Sequence, residues 1–172
     1  MPQNGADGGE AATPASKKQR LSGSPLLATP TKVLETVRKG EETDESKVLQ
    51  ALCNAVISAA DGEEGGEDEE AVRLLTELLE EDGIDPNCGD DEVLRRFGGS
   101  PLYQACKLDV PEAVRTLLDH GASLVRRWDG ETPLEVAITQ KSIRCTDVIL
   151  DHVGKLERQA GEKRARRRGA AA

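Results

Sequence analysis

The stretch GETPLEVA, Gly130 to Ala137, follows 32 residues behind GGSPLYQA, Gly98 to Ala105, and the pattern they share, hydroxyl-Pro-Leu-x-x-Ala, decides the fold. A Ser or Thr before Pro offers a side-chain oxygen to the unpaired N–H groups of a helix start, and Pro needs no donor in the first turn. Leu102 and Leu134 then face inward, and Ala105 and Ala137 are small enough for a neighbouring helix pair to approach. The pattern recurs because each unit buries its face against a copy of itself.

Working outward, SPLYQACKLD and PEAVRTLLDHGAS read as two short helices with a break between them, and TPLEVAITQK with IRCTDVILDHV repeats the arrangement. Upstream, Glu45 to Ala60 places Val48, Leu49, Leu52, Val56 and Ile57 on one stripe at the 3.6-residue period, and Leu74, Leu75, Leu78 and Leu79 form another. Gly83 suits a left-handed cap at the end of that second helix. A helix-turn-helix unit at a period near 33 residues is the pattern of a solenoid. Only Phe97, Tyr103 and Trp128 are aromatic, so the core is expected to be Leu, Val, Ile and Ala in small stacked helices.

These stretches resemble the ankyrin-repeat family. GGSPLYQACKLDVPEAVRTLLDHGAS and DGETPLEVAITQKSIRCTDVILDH are similar to successive ankyrin units, over about 98–153. A looser first unit spans about 45–88, with Asp85, Pro86 and Asn87 in a family-like turn. The resemblance implies an all-α, short ankyrin-repeat solenoid of about three units between disordered N- and C-terminal tails. Two departures stand out. Tyr103 and Glu135 occupy the family's histidine position, which puts its hydrogen bond between units in doubt. Asp109 and Lys141 replace the glycine between helices. The first unit lacks the opening tetrad and reads as an N-terminal cap with an insertion.

Composition divides the chain into 1–31, a disordered Ser/Thr-Pro tail; 32–44, a short helix and linker; 45–153, the repeats, with an acidic loop at 61–70; and 154–172, a basic tail. The net charge of −9 averages +3 over 1–40, −17 over 41–92, zero over 93–153 and +5 over 154–172. Neither a signal peptide nor an apolar run long enough to span a membrane is visible, so a soluble chain in a reducing compartment is expected. Cys53, Cys106 and Cys145 then read as buried structural thiols, with Cys88 in a turn. His120 and His152 are register echoes, and no nucleophile, phosphate loop or dinucleotide fingerprint is present. A chain that is not an enzyme, without cofactor or metal, is the expectation.

The resemblance implies that a protein partner meets the hairpin tips and the exposed face of each first helix. Carried over residue by residue, the tips are Arg95, Arg96 and Phe97, then Arg126, Arg127, Trp128 and Asp129; the first-helix face holds Lys107, Leu108, Thr139 and Gln140. Trp and Arg dominate interface energetics, so Trp128 reads as an anchor or else as a cover for its own hairpin. Lys163, Arg164, Arg166, Arg167 and Arg168 resemble a nuclear import signal and point to an import receptor and the nucleus, with a cytoplasmic location as the alternative. Thr13, Ser24 and Thr29 each precede Pro as candidate phosphorylation sites. The expected function is an adaptor or regulator, monomeric outside its complex. The alternatives are a nucleic-acid- or chromatin-associated factor using the basic tail, and an acidic surface at Glu63–Glu70 for basic partners.

Overall fold

The computed structural model describes residues 29–40, 44–61, 68–81 and 84–169. The helices are α1 (Pro30–Arg38), α2 (Glu45–Ala59), α3 (Glu69–Glu80), α4 (Asp91–Phe97), α5 (Pro101–Leu108), α6 (Pro111–Asp119), α7 (Pro133–Thr139) and α8 (Ile143–Gly169). The described residues contain no strand beyond a single bridge between Trp128 and Glu131.

Side chains cap α2, α3, α4, α5 and α7, α1 and α6 start on a Pro, and α4 stands where the sequence suggested only a connector. Ser100 accepts from Tyr103 N at the head of α5. Thr132 and Glu135 form a reciprocal capping box on α7, with Glu135 Oε2 accepting from Thr132 N at 2.6 Å and Thr132 Oγ1 from Glu135 N at 3.3 Å. Asp68 caps α3, so Glu69 and Glu70 belong to its first turn, where the helix dipole favours carboxylates. The acidic loop thus ends earlier than its charge suggests, and residues 62–67, like Gly83, lie outside the described residues.

First helices stack as α2, α5, α7 and second helices as α3, α6, α8, so three pairs form the solenoid. Leu52, Leu75, Leu102 and Leu117 are buried in a core that runs through all three, and Ala105 and Ala137 are completely buried where the pairs meet. Burial of a Leu side chain contributes about 2 kcal/mol, and only stacking supplies it here.

Both ends differ from the sequence expectation. The stack begins before Glu45, because α1 lies on α2 and α3 and buries Val33 and Leu34. Arg38 Nε donates to Glu81 Oε1 at 2.7 Å, and its Nη2 lies 3.5 Å from Glu77 Oε2, tying α1 to α3. At the other end α8 does not stop near 153: it runs to Gly169, since no glycine breaks it where Gly121, at φ 84°, turns the previous unit. Residues 155–166 of this extension are exposed.

The positions between paired helices keep the backbone that glycine would ease: Asp109 has φ 56° and Lys141 φ 60°. Asp109 offsets its strain through Arg144, whose Nη2 donates to Asp109 O at 3.0 Å and whose Nε lies 3.6 Å from its carboxylate. Lys141 is exposed, and among the described residues its carbonyl accepts from the backbone N–H of Ile143 and from no side chain. Lys141→Gly is therefore expected to raise stability by about 0.5–1 kcal/mol, read as a higher urea midpoint, while Asp109→Gly brings no gain.

The candidate interaction surface

Two tips project from the stack, built differently. The first is α4, capped by Asp90 and closed by Gly98 at φ 74°. Leu94 is buried against Leu49 and Cys53, Phe97 packs on the same cluster, and Arg95 and Arg96 point to solvent with no ion pair among the described residues. The second tip is a two-residue hairpin, Trp128 N donating to Glu131 O at 2.8 Å and Glu131 N to Trp128 O at 2.9 Å. Asp129 and Gly130, at φ 53° and 82°, supply the two positive φ angles such a turn needs.

Ties between the tips come from residues the sequence did not mark for that work. Asn87 Nδ2 donates to Gly121 O at 3.0 Å, and its Oδ1 accepts from Ser123 N at 2.7 Å, joining two successive turns. The Arg126 guanidinium donates to the carbonyls of Asn87 and Gly89, so this arginine clasps the preceding turn. Gln104 Nε2 donates to Phe97 O at 2.9 Å, closing the first tip. The doubt raised by Tyr103 and Glu135 is thereby answered: Glu135 serves its own cap, and Asn87 and Arg126 bridge the units. Asn87 stood in the family-like turn, but its reach of 36 residues to Ser123 left no local signal.

Trp128 is half-buried, its ring lies over Gly99 of the neighbouring tip, and it packs on the cluster of Leu49, Cys53 and Leu94. Its open side lines a cleft of about 420 Å³ with Asp91, Arg95, Arg127 and Asp129. Arg127 Nη1 donates to Gly130 O at 2.6 Å and lies 3.7 Å from Glu135 Oε2. Hydrogen bonds from Thr132, and then the charge of Arg127, hold the Glu135 carboxyl below its ordinary range. Arg95 and Arg96 are thus the uncommitted cations of the tips.

With stacked pairs, capped first helices and projecting turns in place, a family model for ankyrin repeats in three copies matches residues 46–160. The chain belongs to the ankyrin-repeat family. Over 86 residues it is also 35% identical to the glycerophosphocholine phosphodiesterase GDE1 of Eremothecium gossypii, across 49% of this chain and 6% of that protein. So small a share of that protein does not carry its activity over. Ankyrin repeats support a role in protein interaction.

On the first-helix face of this ankyrin stack, Lys107, Leu108, Thr139 and Gln140 are all exposed, and Thr139 Oγ1 donates to Glu131 Oε1 at 3.1 Å. The thiols follow their environment: burial pushes Cys53 and Cys106 up to about 12, and burial with Asp85 nearby pushes Cys88 up to about 11, far from a reactive thiolate. His120 Nδ1 lies 2.8 Å from Thr116 O and His152 Nδ1 3.9 Å from Asp119 Oδ1, so each has its own neighbour. Lys163, Arg164 and Arg166 are exposed on α8, and Arg167 and Arg168 continue its backbone. Thr29 is exposed at the N-cap of α1; Thr13 and Ser24 lie outside the described residues.

Proposed function

We propose that this chain is a non-catalytic adaptor or regulator that holds a protein partner against its two tips and first-helix face, working in the nucleus. One observation carries the reading: Arg95, which has no ion pair among the described residues, and the open side of Trp128 line the same cleft. A cation beside a fixed aromatic ring is the composition of an interface anchor, and it suits a partner segment with a carboxylate next to an apolar group.

Trp128→Ala would also disturb the packing over Gly99, so the arginines make the cleaner test. Arg95→Ala with Arg96→Ala is expected to leave the melting curve unchanged and to weaken partner binding by about 2 kcal/mol, roughly 30-fold. Equal recovery of the same bound protein by wild type and double variant would remove the reading. For location, deleting Lys163–Arg168 from a fluorescent fusion should spread it through the cell, and continued nuclear accumulation would count against import through that run.

The exposure of Lys163, Arg164 and Arg166 favours one second reading, contact with nucleic-acid phosphates. Binding of that kind falls with salt at a slope of about −0.9 per duplex phosphate neutralised, whereas recognition in the cleft by one or two cations would be far less steep.

A further inference from the structure

Ile138, Ile143 and Leu150 on the last unit are 61%, 71% and 55% exposed. Their counterparts 32 residues earlier are Cys106, Pro111 and Leu118, at 0%, buried and 3%. Those counterparts are covered because α7 and α8 stack on α5 and α6. The three exposed residues therefore form the face on which another layer would sit, as apolar as an inner face. Stacked-repeat proteins ordinarily end in a polar face, because an apolar one invites association.

Among the described residues no segment turns back over this face. Where α6 stops and Gly121 reverses the backbone, α8 has Val153 in unbroken helix and travels on to Gly169, about 24 Å further at 1.5 Å per residue. That extension is complementary to the face it leaves bare. Ile143, Leu150, Gly154 and Gly161 recur at intervals of seven, four and seven and share one stripe of the helix. A side chain at Gly154 or Gly161 would meet nothing within 4 Å, so no packing among the described residues calls for these glycines, although each weakens a helix relative to alanine.

We infer that a second copy of this chain packs antiparallel along α8, the glycine-bearing half of each copy covering the Ile143–Leu150 face of the other. Centred on Gly154, this pairing sets Ile143 against Ala165 and lets Leu150 enter the gap between Gly154 and Gly161 of the other copy. The charges choose the direction. Asp147 and Arg158 flank the stripe on the same side and make no ion pair among the described residues, whereas Asp151 is engaged with its own Lys155 at 3.8 Å. Antiparallel packing brings this flank of each copy together and lays Arg158 of one near Asp147 of the other; parallel packing sets the flank against the opposite one and makes no such pair. The pair would carry its two sets of tips apart, so one dimer could engage two partner segments.

Sedimentation equilibrium of the full chain over a concentration series tests this, with circular dichroism as the check on folding. Wild type is expected at twice the 18.4 kDa chain mass. Leu150→Glu and Gly154→Leu should each return it to single-chain mass with helicity kept. Asp147→Arg alone or Arg158→Asp alone should weaken the dimer at least tenfold, and the two together should restore it. Single-chain mass for wild type overturns the proposal, and points to another occupant of the face. A dimer indifferent to Leu150→Glu and Gly154→Leu overturns it too, and a charge swap that fails to restore association overturns the antiparallel direction.

Discussion

Gly99→Ala is expected to lower stability by about 3 kcal/mol, the larger part of it from two aromatic rings that close over one backbone position. Gly99 has φ 117°, which L side chains rarely adopt. A Cβ there would stand 2.8 Å from Tyr103 Cδ1 and 3.0 and 3.1 Å from Trp128 Cδ1 and Cγ. Tyr103 is buried in the core, so the Trp128 ring is the one that gives way. Because Trp128 is the chain's single tryptophan, its emission should shift to the red in the folded variant as the ring moves into water. Gly130→Ala is the comparison: φ is 82° there, but nothing lies within 4 Å, so only the backbone cost of about 1 kcal/mol is expected. Equal losses from the two substitutions would mean that the rings do not close over Gly99.

Leu117→Ala should cost a similar amount, about 3 kcal/mol, for a different reason. Leu117 is completely buried on α6, the middle second helix, with α3 on one side and α8 on the other. Truncation leaves a cavity that helices held from both sides cannot close. Each unit of a stack is stabilised mainly by its neighbours, so a weakened centre uncouples the ends, and a three-unit chain with about 5–15 kcal/mol in total feels this strongly. Urea unfolding should show an earlier and broader transition. Val125→Ala, at a highly exposed position, should change the midpoint by no more than about 0.5 kcal/mol. An unchanged transition in Leu117→Ala would contradict the stacking.

Much of the fold could be read from short stretches. The Ser100 and Thr132 caps, the inward Leu102 and the small Ala105 and Ala137 all stand where the recurrence puts them. The strained positions were legible as well: Asp109 and Lys141 replace a glycine and keep its backbone angle, since the turn between helices demands positive φ whichever residue occupies it. Less legible was the docking of α1: a short helix was expected within 32–44, but its place on the stack is set by Val33, Leu34 and Arg38 meeting partners beyond a linker. The surface was hardest. Arg95, Arg96, Arg126 and Arg127 look alike as letters, yet Arg126 clasps the turn at Asn87, Arg127 serves its own hairpin, and Arg95 and Arg96 have no ion pair among the described residues.

The sequence by itself determined the helix pairs, their order and their repetition, because capping and the 3.6-residue period act within a single turn or two and leave their marks on adjacent letters. Only the tertiary structure decided which cations have no ion pair among the described residues, that Trp128 lies across the neighbouring tip, and that Ile138, Ile143 and Leu150 are exposed. Each of those depends on what stands opposite a side chain from a distant part of the chain, 29 residues away for Trp128 and Gly99; burial and hydrogen bonding are settled by that encounter, not by the residue type.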